Sequence, residues 1–284
     1  MIKIGCNWSH ELLALLTAKH VEIDYIKTGA FGLFEQDYVT MRALRPVLLH
    51  GLGHYEIAGM KNVDIVDFER ANRLLHECGS PHFGLHLAIT NQDMKMGKPM
   101  QENMGTSMQE GMGQPMQISM SEEDIPARMA SVMRIFKKKL TVPLLLENIP
   151  ESPQEVALYD YYPYSAPAQI SKIIYDNDVG FLLDLTHAKI ACMTRGWDVR
   201  DYLRALPLER IKEIHVNGVG RDEQGFPDDT HEAMEDEDFE LLDFVLSYAK
   251  PEIISLEYVG TPRETSEQIT EKLRVQLERL RSQV

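Results

Sequence analysis

Short, nearly continuous apolar stretches recur along this chain, each about the length of a β-strand and separated from the next by polar or helix-period sequence. Eight stand out, at residues 2–6, 21–25, 46–50, 82–87, 142–148, 180–184, 211–216 and 253–258. Strands covered on both faces have this character, whereas a half-exposed strand alternates apolar with polar residues. Several of the intervening segments carry the 3.6-residue repeat of amphipathic helices. Over residues 63–78, Val63, Val66, Phe68, Ala71, Leu74 and Leu75 fall on one side, and residues 124–140 and 239–249 follow the same pattern. Near the end, Thr261-Pro262-Arg263-Glu264 has the wording of a capping box with Pro at the first helical position. It predicts a helix carrying Ile269, Leu273, Leu277 and Leu280 on one stripe. Eight strands alternating with helices predict an α/β fold, a (β/α)8 TIM barrel spanning residues 1–284 as one domain. An open doubly wound sheet is the alternative, but no glycine-rich phosphate fingerprint follows the first run.

Residues 91–121 break this rhythm. Met96, Met100, Met104, Met108, Met112, Met116 and Met120 recur at every fourth position, interrupted by Gly97, Pro99, Gly105, Gly111, Gly113 and Pro115. Those glycines and prolines exclude one continuous helix, so the segment is expected to be a long methionine-rich loop inserted after the fourth strand. A neutral repeat expansion, a soft-metal trap and an adaptable lid over an apolar or sulfur-containing substrate all fit it equally.

Composition narrows the function classes. With 29 Lys+Arg against 44 Asp+Glu, the formal charge is -15, which argues against non-specific nucleic-acid binding. The three cysteines, Cys6, Cys78 and Cys192, cannot pair evenly and lie far apart, so neither a disulfide framework nor a thiolate zinc site is expected. No apolar run approaches the length of a membrane span and no leader is evident, so a soluble, cytoplasmic protein is expected.

The chemistry lies in what ends the apolar runs. His50 closes the third and His86 lies near the end of the fourth. Glu147 ends the fifth, Asp184 the sixth with His187 three residues on, His215 falls near the end of the seventh, and Glu257 near the end of the eighth. Asp229-Thr230-His231 stands between the last two runs. Six consecutive strands therefore deliver an imidazole or a carboxylate to the C-terminal face of the barrel, where barrel active sites sit. Glu147 follows three leucines, and Asp184 and Glu257 also follow apolar residues. Burying such carboxylates uncompensated costs several kcal/mol, of order, so cations are expected among them. The strand ends supply almost no Lys or Arg, only Lys27 and Lys212 lying near strands. Imidazole and carboxylate without thiolate suit iron, zinc or manganese, and the donors are too many for one ion. His54 fits a surface loop better than an outer position of the site, and His10, His20, His76 and His82 read as structural, His82 because it starts its strand at the opposite end of the barrel.

The ordered set His50, His86, Glu147, Asp184-x-x-His187, His215, Asp229-x-His231 and Glu257 resembles the xylose-isomerase-like and apurinic-endonuclease-like barrel superfamily. The local wording is similar to one branch of it, the multinuclear non-haem iron-dependent oxidative enzymes, long known only as a domain of unknown function. Arg45-Pro46-Val47-Leu48-Leu49-His50-Gly51, Leu146-Glu147-Asn148-Ile149-Pro150, Phe181-Leu182-Leu183-Asp184 and Ile214-His215-Val216-Asn217-Gly218 carry that likeness. Where this chain has His187 the family often has Asn.

The resemblance implies two or three iron ions and the use of dioxygen to modify a cysteine-containing peptide or small thiol, in some members with a small partner protein that delivers the peptide. It implies Glu147 as a bridging carboxylate, with Asp184, His215 and Glu257 completing one ion, His50 and His86 on a second, and His187, Asp229 and His231 on a third. Glu147, Asp184 and His187 are the residues expected to bear on catalysis. Rival expectations are a zinc- or manganese-dependent phosphoesterase, a sugar isomerase of the same superfamily, and a metal-storage or sensing protein.

Overall fold

A computed structural model describes residues 1–29, 37–51, 57–60, 63–89, 124–153 and 164–284. Nine parallel strands form the main sheet: β1 (Lys3–Asn7), β2 (Tyr25–Gly29), β3 (Val47–His50), β4 (Ile57–Gly59), β5 (Phe83–Ile89), β6 (Leu144–Glu147), β7 (Gly180–Asp184), β8 (Ile211–Val216) and, after a separate hairpin, β11 (Ile253–Leu256). The hairpin is β9 (Gly218–Arg221) with β10 (Pro227–Glu232). Their order is β3-β2-β1-β11-β8-β7-β6-β5-β4, and β3 also pairs with β5 through His50 opposite Gly84. That last pairing closes eight of the strands into a (β/α)8 barrel and rules out the open sheet. The short β4 lies outside the ring on β5, with Ile57 opposite His86.

The two faces of the barrel strands differ in kind. Leu49, Leu85, Leu146, Leu183, Ile214 and Ile254 belong to the large apolar core, which includes residues of the surrounding helices such as Leu74, Phe136, Ile174, Leu242 and Leu277. The alternate positions pair an apolar or small residue with a polar one two residues on. Leu48 precedes His50, Gly84 precedes His86, Leu145 precedes Glu147, Leu182 precedes Asp184, and Ser255 precedes Glu257. A period of two puts each such pair on one face. Apart from Glu213 two residues before His215, the interior of the barrel thus changes from apolar or small residues to ionisable ones at the C-terminal ends.

Helix ends fix the loops that carry the site. The helix α1 (Leu185–Arg195) starts directly on β7, with Asp184 as its N-cap and its Oδ1 accepting from the backbone N–H of His187 at 2.7 Å. A left-handed Gly196 ends it.

Two sequence expectations shift. The second strand occupies Tyr25–Gly29 rather than 21–25. Its later half contains Lys27 and Thr28, which are buried but polar, so apolar content alone stopped the run too soon. The last helix, α2 (Ser266–Gln283), is capped by Thr265 and Gln268, not by Thr261 and Glu264. Thr261 and Glu264 still bond to each other in a turn before it, and Glu264 also accepts from Tyr258. Two capping boxes four residues apart competed, and the turn kept the first. The methionine-rich segment 91–121 lies outside the described residues.

Candidate metal centre

Glu147 is the hub. It is 1% exposed at the end of β6, and three strand-borne imidazoles and one helix-borne imidazole face its two oxygens. Oε2 lies 2.6 Å from His50 Nε2 and 3.3 Å from His86 Nε2. Oε1 lies 3.0 Å from His215 Nδ1 and 3.6 Å from His187 Nδ1. Gly84 makes the first of these approaches possible, because a Cβ there would stand 2.5 Å from His50 Cδ2 and 2.9 Å from its Nε2.

Two groups of potential ligand atoms meet at this carboxylate. His50, His86 and Glu147 form one, and Glu147, Asp184, His215 and Glu257 form the other, the atoms of each lying within 4.8 Å of one another. All members of the second group are buried. His215 Nδ1 lies 3.4 Å from Glu257 Oε2 and 3.9 Å from Asp184 Oδ2.

The remaining three sequence candidates are joined through Asp229. Its Oδ2 is 3.1 Å from His187 Nε2 and 3.3 Å from His231 Nε2. His187 Nδ1 donates to the carbonyl of Asn148 at 2.7 Å, so Nε2, turned towards Asp229 and Asp184, is the nitrogen that could give up its proton to a cation. Asp229 and His231 sit in β10 where its register with β9 shifts, and His231 has a left-handed backbone, φ 52. Such a bulge re-aims side chains, and a strained non-glycine residue at a cluster of ionisable groups marks a local functional constraint.

Charge in this site is poorly balanced by protein groups alone. Burial raises the Asp184 carboxyl, opposed by His187 and reinforced by Glu257, Glu147 and Asp229, to about 7. Burial works against protonated His215 and His231, yet the neighbouring carboxylates overcome it and push them up to about 10 and about 9. Burial likewise disfavours an ionised Glu147, but His86, His215 and His50 hold it well below the usual carboxylate range. Asp184 Oδ2 is buried and receives no hydrogen bond among the described residues. An acceptor left bare beside three other carboxylates, with imidazole nitrogens and no thiol, fits divalent or trivalent cations of the iron, zinc or manganese type.

Sequence reasoning underestimated four residues. Lys27 is buried inside the barrel and ion-paired to Glu257, so one carboxylate does have a lysine partner. Asn148 exchanges two hydrogen bonds of 2.9 Å with the backbone of Asp184, tying the end of β6 to the end of β7. Asn217 donates to Asp229 Oδ1 at 3.0 Å. Glu213 is buried beneath His215, 3.3 Å from its Nε2. Both asparagines stand beside a candidate ligand in the quoted segments, which was the available signal.

The profile of the RiPP precursor modification enzyme MbnB/TglH/ChrH matches residues 3–277. The chain belongs to this family. A UPF0276 protein of Paraburkholderia phytofirmans is 24% identical over 226 residues, covering 76% of this chain and 65% of that protein. The match thus spans less than two thirds of that relative's length. Among solved structures, the IolI protein with a binding zinc atom superposes with a TM-score of 0.63 at 15% identity, covering 100% of this chain and 99% of the other. Endonuclease IV from Thermus thermophilus gives 0.57 at 17% identity, covering 99% of each. These two likenesses establish the barrel fold and nothing finer.

Proposed function

We propose that the protein is a cytoplasmic multinuclear non-haem iron enzyme that uses dioxygen to oxidise a cysteine-containing peptide or small thiol. The observation that carries this reading is Glu147, which belongs to both ligand groups, with Oε2 facing His50 and His86 and Oε1 facing His215, and so suits a bridge between ions. Family membership supports a ribosomally made peptide as substrate, and the proposal includes a small partner protein that delivers it. In this reading Glu147, Asp184, His215 and Glu257 hold one iron, Glu147, His50 and His86 a second, and His187, Asp229 and His231 a third where three are bound. Iron held this way supplies affinity for a thiolate and electron exchange with dioxygen.

The protein's own groups set where the substrate meets the site. His86 and His231 have side chains 25% and 34% exposed, while Glu147, Asp184 and His215 are closed to solvent. Substrate therefore approaches over His86 and His231, and the buried side excludes water. Asn148 and the helix N-terminus at Leu185 hold Asp184 by Oδ1 and by its backbone, leaving Oδ2 for a cation.

One observation favours a second reading, a sugar isomerase, since such sites use a lysine near the metals and Lys27 is buried in this barrel. Its ammonium is already engaged by Glu257, which supports charge balance more than contact with a substrate oxygen. The deciding experiment is purification from iron-replete cells, elemental analysis, and oxygen uptake with a cysteine-terminated peptide. Iron above one ion per chain and thiol-dependent oxygen consumption are expected. Zinc or manganese alone, with no oxygen uptake, would overturn the proposal.

A further inference from the structure

Below the ligand cluster, deeper in the same barrel, lies a buried carboxylate that the proposed chemistry does not use. Glu213 stands two residues before His215 on β8, which puts both side chains on the inner face, one beneath the other. Its Oε2 lies 2.5 Å from His82 Nε2, and its Oε1 accepts from Ser255 Oγ at 2.5 Å. Ser255 fits because β1 carries a glycine opposite it: a Cβ on Gly5 would stand 2.6 Å from Ser255 Oγ. Residues of four strands or their ends thus combine to seat one charge at 2% exposure. Above it, Glu213 Oε1 lies 3.3 Å from His215 Nε2, and that nitrogen is buried with no hydrogen bond to another described residue. The opposite nitrogen, Nδ1, is the one that faces Glu147, Glu257 and Asp184.

We infer that Glu213 is a positioning residue for His215, keeping the ring proton on Nε2 so that the lone pair of Nδ1 is presented to a metal ion. A neutral imidazole has one N–H and one lone pair, and an ionised carboxylate can only accept. Nδ1 also faces carboxylates, Glu147 at 3.0 Å first among them, but a cation bound there takes up Glu147, Glu257 and Asp184 and displaces its proton. Glu213 is then the carboxylate left beside the ring, so the proton stays on Nε2 and Nδ1 ligates. A carboxylate behind a metal-bound imidazole fixes both its tautomer and its ring plane and raises its basicity. His82 and Ser255 are the anchors that stop the carboxylate from turning away, which gives the histidine at the barrel floor a purpose beyond packing. The inference rests on the reading of His215 as a ligand.

The test uses zinc, which is diamagnetic, on the full chain. Zinc affinity is measured by chelator competition, and the His215 ring nitrogens and Nε2–H proton are followed by NMR, assigned with His215→Ala. In the parent protein a zinc-shifted Nδ1 and a slowly exchanging Nε2–H are expected. Glu213→Gln, close in shape, is expected to weaken zinc binding by about ten- to a hundred-fold and to lose the protected Nε2–H. A merely structural Glu213 would lower the melting temperature and leave both readouts unchanged, which would overturn the inference while the metal site stood. If Glu213→Gln does not fold, His82→Asn carries the test. It should give a smaller loss of zinc affinity with faster Nε2–H exchange, and no change in either would overturn the inference. A parent protein whose His215 ring is untouched by zinc would overturn the metal reading itself, and this inference with it.

Discussion

Replacing Gly84 by alanine tests how tightly the site is built at the level of single atoms. The added methyl would come 2.5 Å from His50 Cδ2, so the ring must turn out of its place beside Glu147. Gly84→Ala should fold with a modest loss of stability yet lose the ion assigned to His50 and His86, which metal analysis with thermal melting would detect. Full metal content would show that His50 is not needed there. His187→Ala makes a complementary case. Its Nε2 faces Asp229 and Asp184, so the variant should lose about one equivalent of metal while the other ions stay. A lower melting temperature with unchanged stoichiometry would mark His187 as structural. At this scale the sequence exposed the acids and imidazoles, because a charge at the end of a leucine-rich run is conspicuous. It hid Lys27 and Glu213, whose significance comes from partners far away in the chain, Glu257 and His82.

Among the elements, the junction of β7 with helix α1 carries two duties on one side chain. Asp184 Oδ1 caps the helix, whereas Oδ2 is buried with no hydrogen bond to another described residue and is the atom the proposed site would give to a cation. Asp184→Ala removes both and should destabilise the metal-free protein by about 1 kcal/mol through the lost cap. Asp184→Asn keeps an oxygen for the cap and removes a carboxylate that burial has pushed up to about 7, so the metal-free variant should melt no lower than the parent at pH 8. Both should bind less metal. Chemical denaturation of the two variants side by side separates the duties, and equal destabilisation by both would refute this division. The barrel strands other than β2 were legible as apolar runs because each is buried on both sides. The β9–β10 hairpin was not, since its burial is patchy and its sequence polar. Asp229 and His231 were placed near the site by order along the chain, and their spacing of two on β10 puts both on one face, where His231 Nε2 lies 3.3 Å from Asp229 Oδ2.

For the whole molecule, the crowding of acids and imidazoles predicts opposite responses to pH with and without metal. Asp184, His215 and His231 all have raised values, about 7, about 10 and about 9, so the metal-free folded chain binds more protons than the unfolded chain. Stability from such groups is present at low pH and is lost as pH rises through the folded values. Asp184 gives up its share by about pH 7, and His215 and His231 lose theirs from about pH 6.5 up to about pH 10, so metal-free protein should melt at progressively lower temperature across that range. Metal binding must expel those protons, so metal affinity should rise over the same range, with measurable proton release in weakly buffered solution. A metal-free melting temperature that rises with pH would contradict this electrostatic description.

The central claim is that one carboxylate, Glu147, joins two metal sites in this barrel. It is tested most directly by elemental analysis of the parent protein and Glu147→Gln, produced side by side with adequate iron and both confirmed as folded. More than one iron per chain is expected in the parent, and the loss of more than one ion in the variant. A variant that keeps the parent's full metal content would contradict that claim.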